Sequence, residues 1–108
     1  MRKITITRRK TFAGCLAKVL ICITDQVTED TVITTDILTL LGTLKNNSVL
    51  EAEIPESPIT IVAGYDDFGN FLLTDLLVIP EGTEDVHLSG IVKLNPTKGN
   101  PFIFDQNA

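Results

Sequence analysis

Few residues of this 108-residue sequence carry reactive chemistry, and the most suggestive group is Asp85, His87 and Ser89. Two-residue spacing puts all three on one face of an extended strand, with an imidazole between a carboxylate and a hydroxyl, the ingredients of a nucleophile and its base. Any strand with a wetted face produces the same alternation, and solvation is the reading carried forward: no catalytic residue is assigned, and the chain is expected not to be an enzyme. Cys15 and Cys22 are the other nucleophiles. A thiol becomes reactive where a cation, a base or a helix N-terminus lowers its pKa, and Cys15 follows the basic run Arg8-Arg9-Lys10; a buried small hydrophobe is the simpler role for either thiol. Their odd spacing sends them to opposite faces of a strand, so they are not expected to bridge each other, and two unpartnered thiols point to a reducing compartment.

Metal and cofactor chemistry find no support. The single His and the two Cys lack the C-x-x-C or H-x-x-x-H spacing of a structural zinc site, and Asp66, Asp67 and Asn70 lack the spaced oxygen series of a calcium loop. No phosphate-binding loop, nucleophile elbow or kinase signature is present, so neither a metal nor a cofactor is expected. Asp75 is the carboxylate that stands out, because it interrupts Leu72, Leu73, Leu76 and Leu77. A buried carboxylate must meet donors or shift its pKa. Two arrangements remain open for it: an ion pair with Arg8 or Arg9, or a bulge that turns it toward water.

Charge is distributed unevenly. Arg2, Lys3, Arg8, Arg9, Lys10 and Lys18 precede every acid, so the first eighteen residues carry +6 and the rest of the chain −11, for a net charge of −5. Arg2, Arg8, Arg9 and Lys10 are the candidate binding residues, and by parity Arg2, Arg8 and Lys10 share one face of an extended strand. An acidic pI near 4.6 is a poor match to a nucleic-acid binder, so nucleic acid is not expected as a partner. Phe12-Ala13-Gly14-Cys15 has the look of a lipoprotein cleavage box, but charges stand where the preceding apolar region belongs. The apolar run 15–23 is too short to span a bilayer. A cytoplasmic location is expected, with cell-surface or exported placement as the alternative.

The elements that position these residues read as strands. Ile4 and Ile6 alternate with Thr5 and Thr7; Val19, Ile21 and Ile23 alternate with Leu20 and Cys22; Leu50, Ala52 and Ile54 with Val49, Glu51 and Glu53; Ile59, Ile61 and Ala63 with Thr60 and Val62. A turn at 66–70 with positive φ at Gly69 and Asn70 leads to Phe71–Ile79, apolar on both faces; then follow Val86 to Leu94 and a short Phe102-Ile103-Phe104. Residues 35–44 read either as a short helix capped by Thr35-Asp36 or as a strand, with the strand favoured by the β-branched run 31–35. At 44% hydrophobic and 21% charged residues the composition is globular, and the expectation is a single domain over 1–108, an all-β antiparallel sandwich of about seven to eight strands.

The opening Ile4-x-Ile6-x-Arg8-x-x-x-Phe12, the small residues Ala13 and Gly14, Ile21-x-Ile23-x-Asp25, Leu44-Lys45-Asn46-Asn47 and Ile54-Pro55 resemble small uncharacterised proteins of Gram-positive bacteria, themselves similar to PEGA-type β-sandwich domains. Asn47 takes the place of that family's turn glycine and, as an asparagine, tolerates the left-handed conformation. The resemblance implies an antiparallel sandwich without a known catalytic centre, and it implies no substrate. The expected function is therefore a non-enzymatic interaction module that contacts protein, including a second copy of itself, through a sheet edge or apolar face. The alternative is capture of an acidic partner, nucleic acid or an anionic surface, by the basic N-terminal strand.

Overall fold

The alternating segments become strands because period-two patterning gives each one face to bury. The computed structural model describes residues 1–12, 17–27, 37–94 and 99–107. In chain order the strands are β1 (Arg2–Arg8), β2 (Val19–Thr24), β3 (Thr39–Leu44), β4 (Ser48–Ile54), β5 (Ile59–Asp67), β6 (Asn70–Ile79), β7 (Val86–Val92) and β8 (Phe102–Phe104), followed by a 3-10 turn over Asp105–Asn107. They form two four-stranded sheets of order β4-β1-β7-β8 and β3-β2-β5-β6, as an all-β sandwich requires. Residues 39–44 are strand; the β-branched run 31–35 lies outside the described residues.

All pairings but one are antiparallel; β1 and β7 run parallel, with Ile4 opposite Val86 and Arg8 opposite Gly90. Parallel neighbours need a long crossover, and here the chain supplies it by building the entire second sheet and β4 between them. Ile4, Ile6, Ile54, Leu88, Val92, Phe102 and Phe104 from the first sheet meet Val19, Ile21, Leu44, Ile59, Ile61, Ala63 and Ile79 from the second in one core. Phe102 and Phe104 pack edge to face with ring centres 5.2 Å apart. β2 and β5 are central in their sheet, which is why both are apolar on both sides.

The β5–β6 hairpin closes with Asp67 paired to Asn70, so Phe68 and Gly69 are the two loop residues, at φ 52° and 88°. A two-residue turn of this hand needs positive φ at both central positions. The sequence pointed to Gly69 and Asn70; the register shifts the strained pair one residue earlier, onto a phenylalanine. Asn47 also adopts positive φ, 57°, in the turn joining β3 to β4 across the two sheets.

Gly90 marks the tightest approach within the first sheet. A Cβ there would lie 2.7 Å from the Ile103 carbonyl oxygen and closer still to the Phe102 ring. Gly90→Ala is expected to destabilise the fold by about 1–3 kcal/mol through overpacking; a urea midpoint unchanged from wild type would contradict this.

Candidate functional site

Parity along β1 decides what its basic residues do. Arg2, Ile4, Ile6 and Arg8 share the inward face, so the arginines close the two ends of the row that the isoleucines occupy. Arg2 is buried, donating from Nε to the Pro55 carbonyl at 3.1 Å and from Nη2 to those of Pro80 at 2.8 Å and Ser57 at 3.5 Å. Arg8 has no exposed surface and donates from Nη1 to the carbonyls of Ala17 at 2.6 Å and Leu44 at 2.9 Å. Its charge also reaches Tyr65: burial pushes that hydroxyl above the usual phenol range, and the guanidinium pulls it partly back. The Tyr65 hydroxyl donates to the Asn100 carbonyl at 2.6 Å.

Arg9 points outward and pairs with Asp105, whose other oxygen accepts from the Ser89 hydroxyl. The Ser89 hydrogen bond, with Arg9 and the charge of Lys93 behind it, holds the Asp105 carboxyl below its ordinary range against the opposing effect of desolvation. Asp105 carried no periodic signal, since it follows a three-residue strand. Lys10 is exposed and is the only member of the four-residue basic set whose charged group meets neither a carbonyl nor a carboxylate in the hydrogen bonds described.

Asp75 lies beside a bulge, where Ala63 pairs with Asp75 but Gly64 with Leu73, leaving Thr74 as the extra residue. Its carboxylate accepts from the Phe104 amide at 2.8 Å and from the Asn107 side-chain amide at 3.0 and 3.1 Å. Its partners are therefore the amide that ends β8 and a side-chain amide of the following 3-10 turn, and neither arginine. This clamps the edge of one sheet to the edge of the other.

The Asp85, His87, Ser89 group does not assemble. Asp85 accepts from the Lys3 amide at 3.1 Å, Ser89 donates to Asp105, and His87 stands exposed on the outer face. Cys22 is a buried free thiol whose pKa is raised by desolvation, the opposite of an activated nucleophile; Cys15 lies outside the described residues. Asp66 accepts from the Gly69 amide at 2.9 Å, a turn bond. Among the described residues, no group of three or more His, Cys, Asp or Glu is placed to hold a metal ion.

Among the described residues, two exposed apolar surfaces stand out. One is the free edge of β3, where Leu40 is 59% exposed. The other is the end of the sandwich reached by β1, β3, β5 and β7, where Phe12, Phe68 and Leu94 are 97%, 100% and 73% exposed. A bulky aromatic inside an Asp-Asp-x-Gly turn was the visible sequence signal for Phe68. No helix among the described residues is long and apolar enough to cross a membrane. No family model, curated protein or solved structure matches the chain.

Two outcomes follow for the charged residues. Arg8→Ala strips the Leu44 and Ala17 carbonyls of their donor and is expected to destabilise by at least about 2 kcal/mol in urea denaturation, with Arg8→Lys recovering only part, because an ammonium lacks the planar fork. Asp105, with its folded pKa depressed, contributes stability that is present above the ordinary carboxylate range and lost as pH falls through the folded value. Asp105→Asn should therefore flatten the fall in melting temperature between about pH 5 and about pH 2; a profile parallel to wild type would remove Asp105 from the acid response.

Proposed function

We propose that the protein is a non-enzymatic interaction module that contacts another protein chain, a second copy in the first instance, through the exposed edge of β3. The observation that carries this is the contrast among the sheet edges. β6 and β8 are joined by the Asp75 clamp to Phe104 and Asn107, and the outer face of β4 carries Glu51 and Glu53. β3, by contrast, runs Thr39-Leu40-Leu41-Gly42-Thr43-Leu44 without a charge. Among the described residues no strand pairs with its outer side. Soluble sheets protect such edges with charge, proline or bulges; β3 has only a bulge at Leu41, between the Ile21–Gly42 and Cys22–Leu40 pairs. A strand added there would satisfy main-chain groups and cover Leu40.

Several features support the non-enzymatic reading: Ser89 and Asp85 are engaged elsewhere, and the Cys22 thiol is held protonated by burial. The buried free thiol also supports placement in a reducing cytoplasm. The basic-strand alternative has less support, because Arg2 and Arg8 point inward onto carbonyls and Arg9 is paired with Asp105, which leaves Lys10 as the exposed member of that set.

Sedimentation velocity over a range of micromolar concentrations tests this. Wild type is expected to show a concentration-dependent dimer, and Leu40→Lys, which sets a charge on the edge, to weaken it by about tenfold or more. A wild-type chain that stays monomeric throughout would overturn self-association through β3.

A further inference from the structure

The strand directions gather the most exposed aromatic residues and most of the exposed bases at one end of the molecule. β1, β3, β5 and β7 all run toward it, so the segments that follow them emerge together. Reciprocal hydrogen bonds of 3.0 Å between Thr11 and the Asn46 side chain tie the segment before Phe12 to the β3–β4 turn. Exposed Lys10, Lys45 and Lys93 share that end with Phe12, Phe68 and Leu94. The opposite end exposes Asp25, Glu56, Glu81, Glu84 and Asp85. The linear charge asymmetry thus becomes an axis with a basic, apolar-tipped pole and an acidic pole.

Phe68 is the sharpest part of this pattern. It has left-handed backbone, φ 52°, and a wholly exposed ring. Asparagine or glycine would take that backbone position with less strain, and the ring gains nothing from the fold in return. Strain kept for a side chain that packs against nothing in its own chain is accounted for when the side chain acts outside it.

We propose that this pole docks on an anionic lipid surface, with Phe12, Phe68 and Leu94 entering the interfacial layer and Lys10, Lys45 and Lys93 meeting lipid headgroup anions. Apolar tips rimmed by lysines match the chemistry of a membrane interface, where rings and aliphatic side chains bury while ammonium groups stay at headgroup level. Asp66 and Asp67 flank Phe68 and oppose the attraction, so charge alone does not suffice and the apolar tips are required. A single nucleic-acid strand fits less well: it calls for aromatics stacked along a basic groove, whereas these tips stand on three separate segments and one is a leucine. The acidic pole, repelled by the same surface, orients the molecule.

The test is co-sedimentation of the full chain with vesicles of phosphatidylcholine alone and of phosphatidylcholine with phosphatidylserine, at low and high salt. Binding is expected to the phosphatidylserine vesicles, to fall with salt, and to drop several-fold in Phe68→Asn and in Lys45→Glu. Phe68→Asn should melt at the same or a higher temperature than wild type, which separates lost binding from lost folding. Leu40→Lys should bind vesicles as wild type does, so this surface and the β3 edge stand or fall separately. Wild type that binds neither vesicle, a Phe12→Ser/Phe68→Asn double variant that binds as wild type, or retention on single-stranded DNA without vesicle binding would each overturn the proposal.

Discussion

Two guanidinium groups inside a 108-residue sandwich impose the condition around which the rest is arranged. A cation removed from water must be surrounded by oxygen, and inside a sheet the ladder consumes most carbonyls. Here the oxygens come from where strands begin and end. Arg2 and Arg8 sit at opposite ends of β1, and each reaches oxygens at the ends of other strands: Pro55, Ser57 and Pro80 at one end, Ala17 just before β2 and Leu44 closing β3 at the other. Arg2 thereby ties β1 to the segment that follows β6, and Arg8 ties β1 to β3, in each case across the two sheets. The row Arg2, Ile4, Ile6, Arg8 makes β1 a strand with an apolar middle and polar ends, matched to the depth of the sandwich.

The lateral margins are treated unequally. On the β6–β8 side, Asp75 reaches across from a bulge to the Phe104 amide and to Asn107, and Asp105 binds Ser89 and Arg9. The last turn of the chain is therefore a fastening between sheets, held by carboxylates that accept several donors each. On the other side, β3 and β4 belong to different sheets and are joined by one tight turn through Asn47. That turn joins the sheets, and among the described residues no strand pairs with the outer side of β3. Among the described residues one margin of the sandwich is fastened and the other is not.

The surface has a second asymmetry, along the strand direction. The six early bases look like a binding strand when read linearly, but folding divides them: two go into the interior, Arg9 goes to Asp105, and Lys3 lies near the acidic pole. Lys10 and the later Lys45 and Lys93 then meet at the loop pole, joined there by Phe12, Phe68 and Leu94. Surface chemistry was rebuilt from residues far apart in the chain.

Alternation alone was enough to read the all-β sandwich, the strand count and the inward faces of β1, β2, β4 and β5, because burial of every other side chain is a local property of an extended chain. It also placed Arg2 and Arg8 on the face of Ile4 and Ile6; the charge of the side chains hid that they shared the isoleucines' burial. Other features depend on partners distant in sequence. The parallel pairing of β1 with β7 depends on which sheet each returning strand joins. The choice of Phe68 for positive φ depends on hairpin register, and the amide partners of Asp75 on a strand twenty-nine residues away. Period-two burial is written into neighbouring residues, whereas register, capping and the gathering of loops at one pole are set by how sheets meet, and that only the tertiary structure decides.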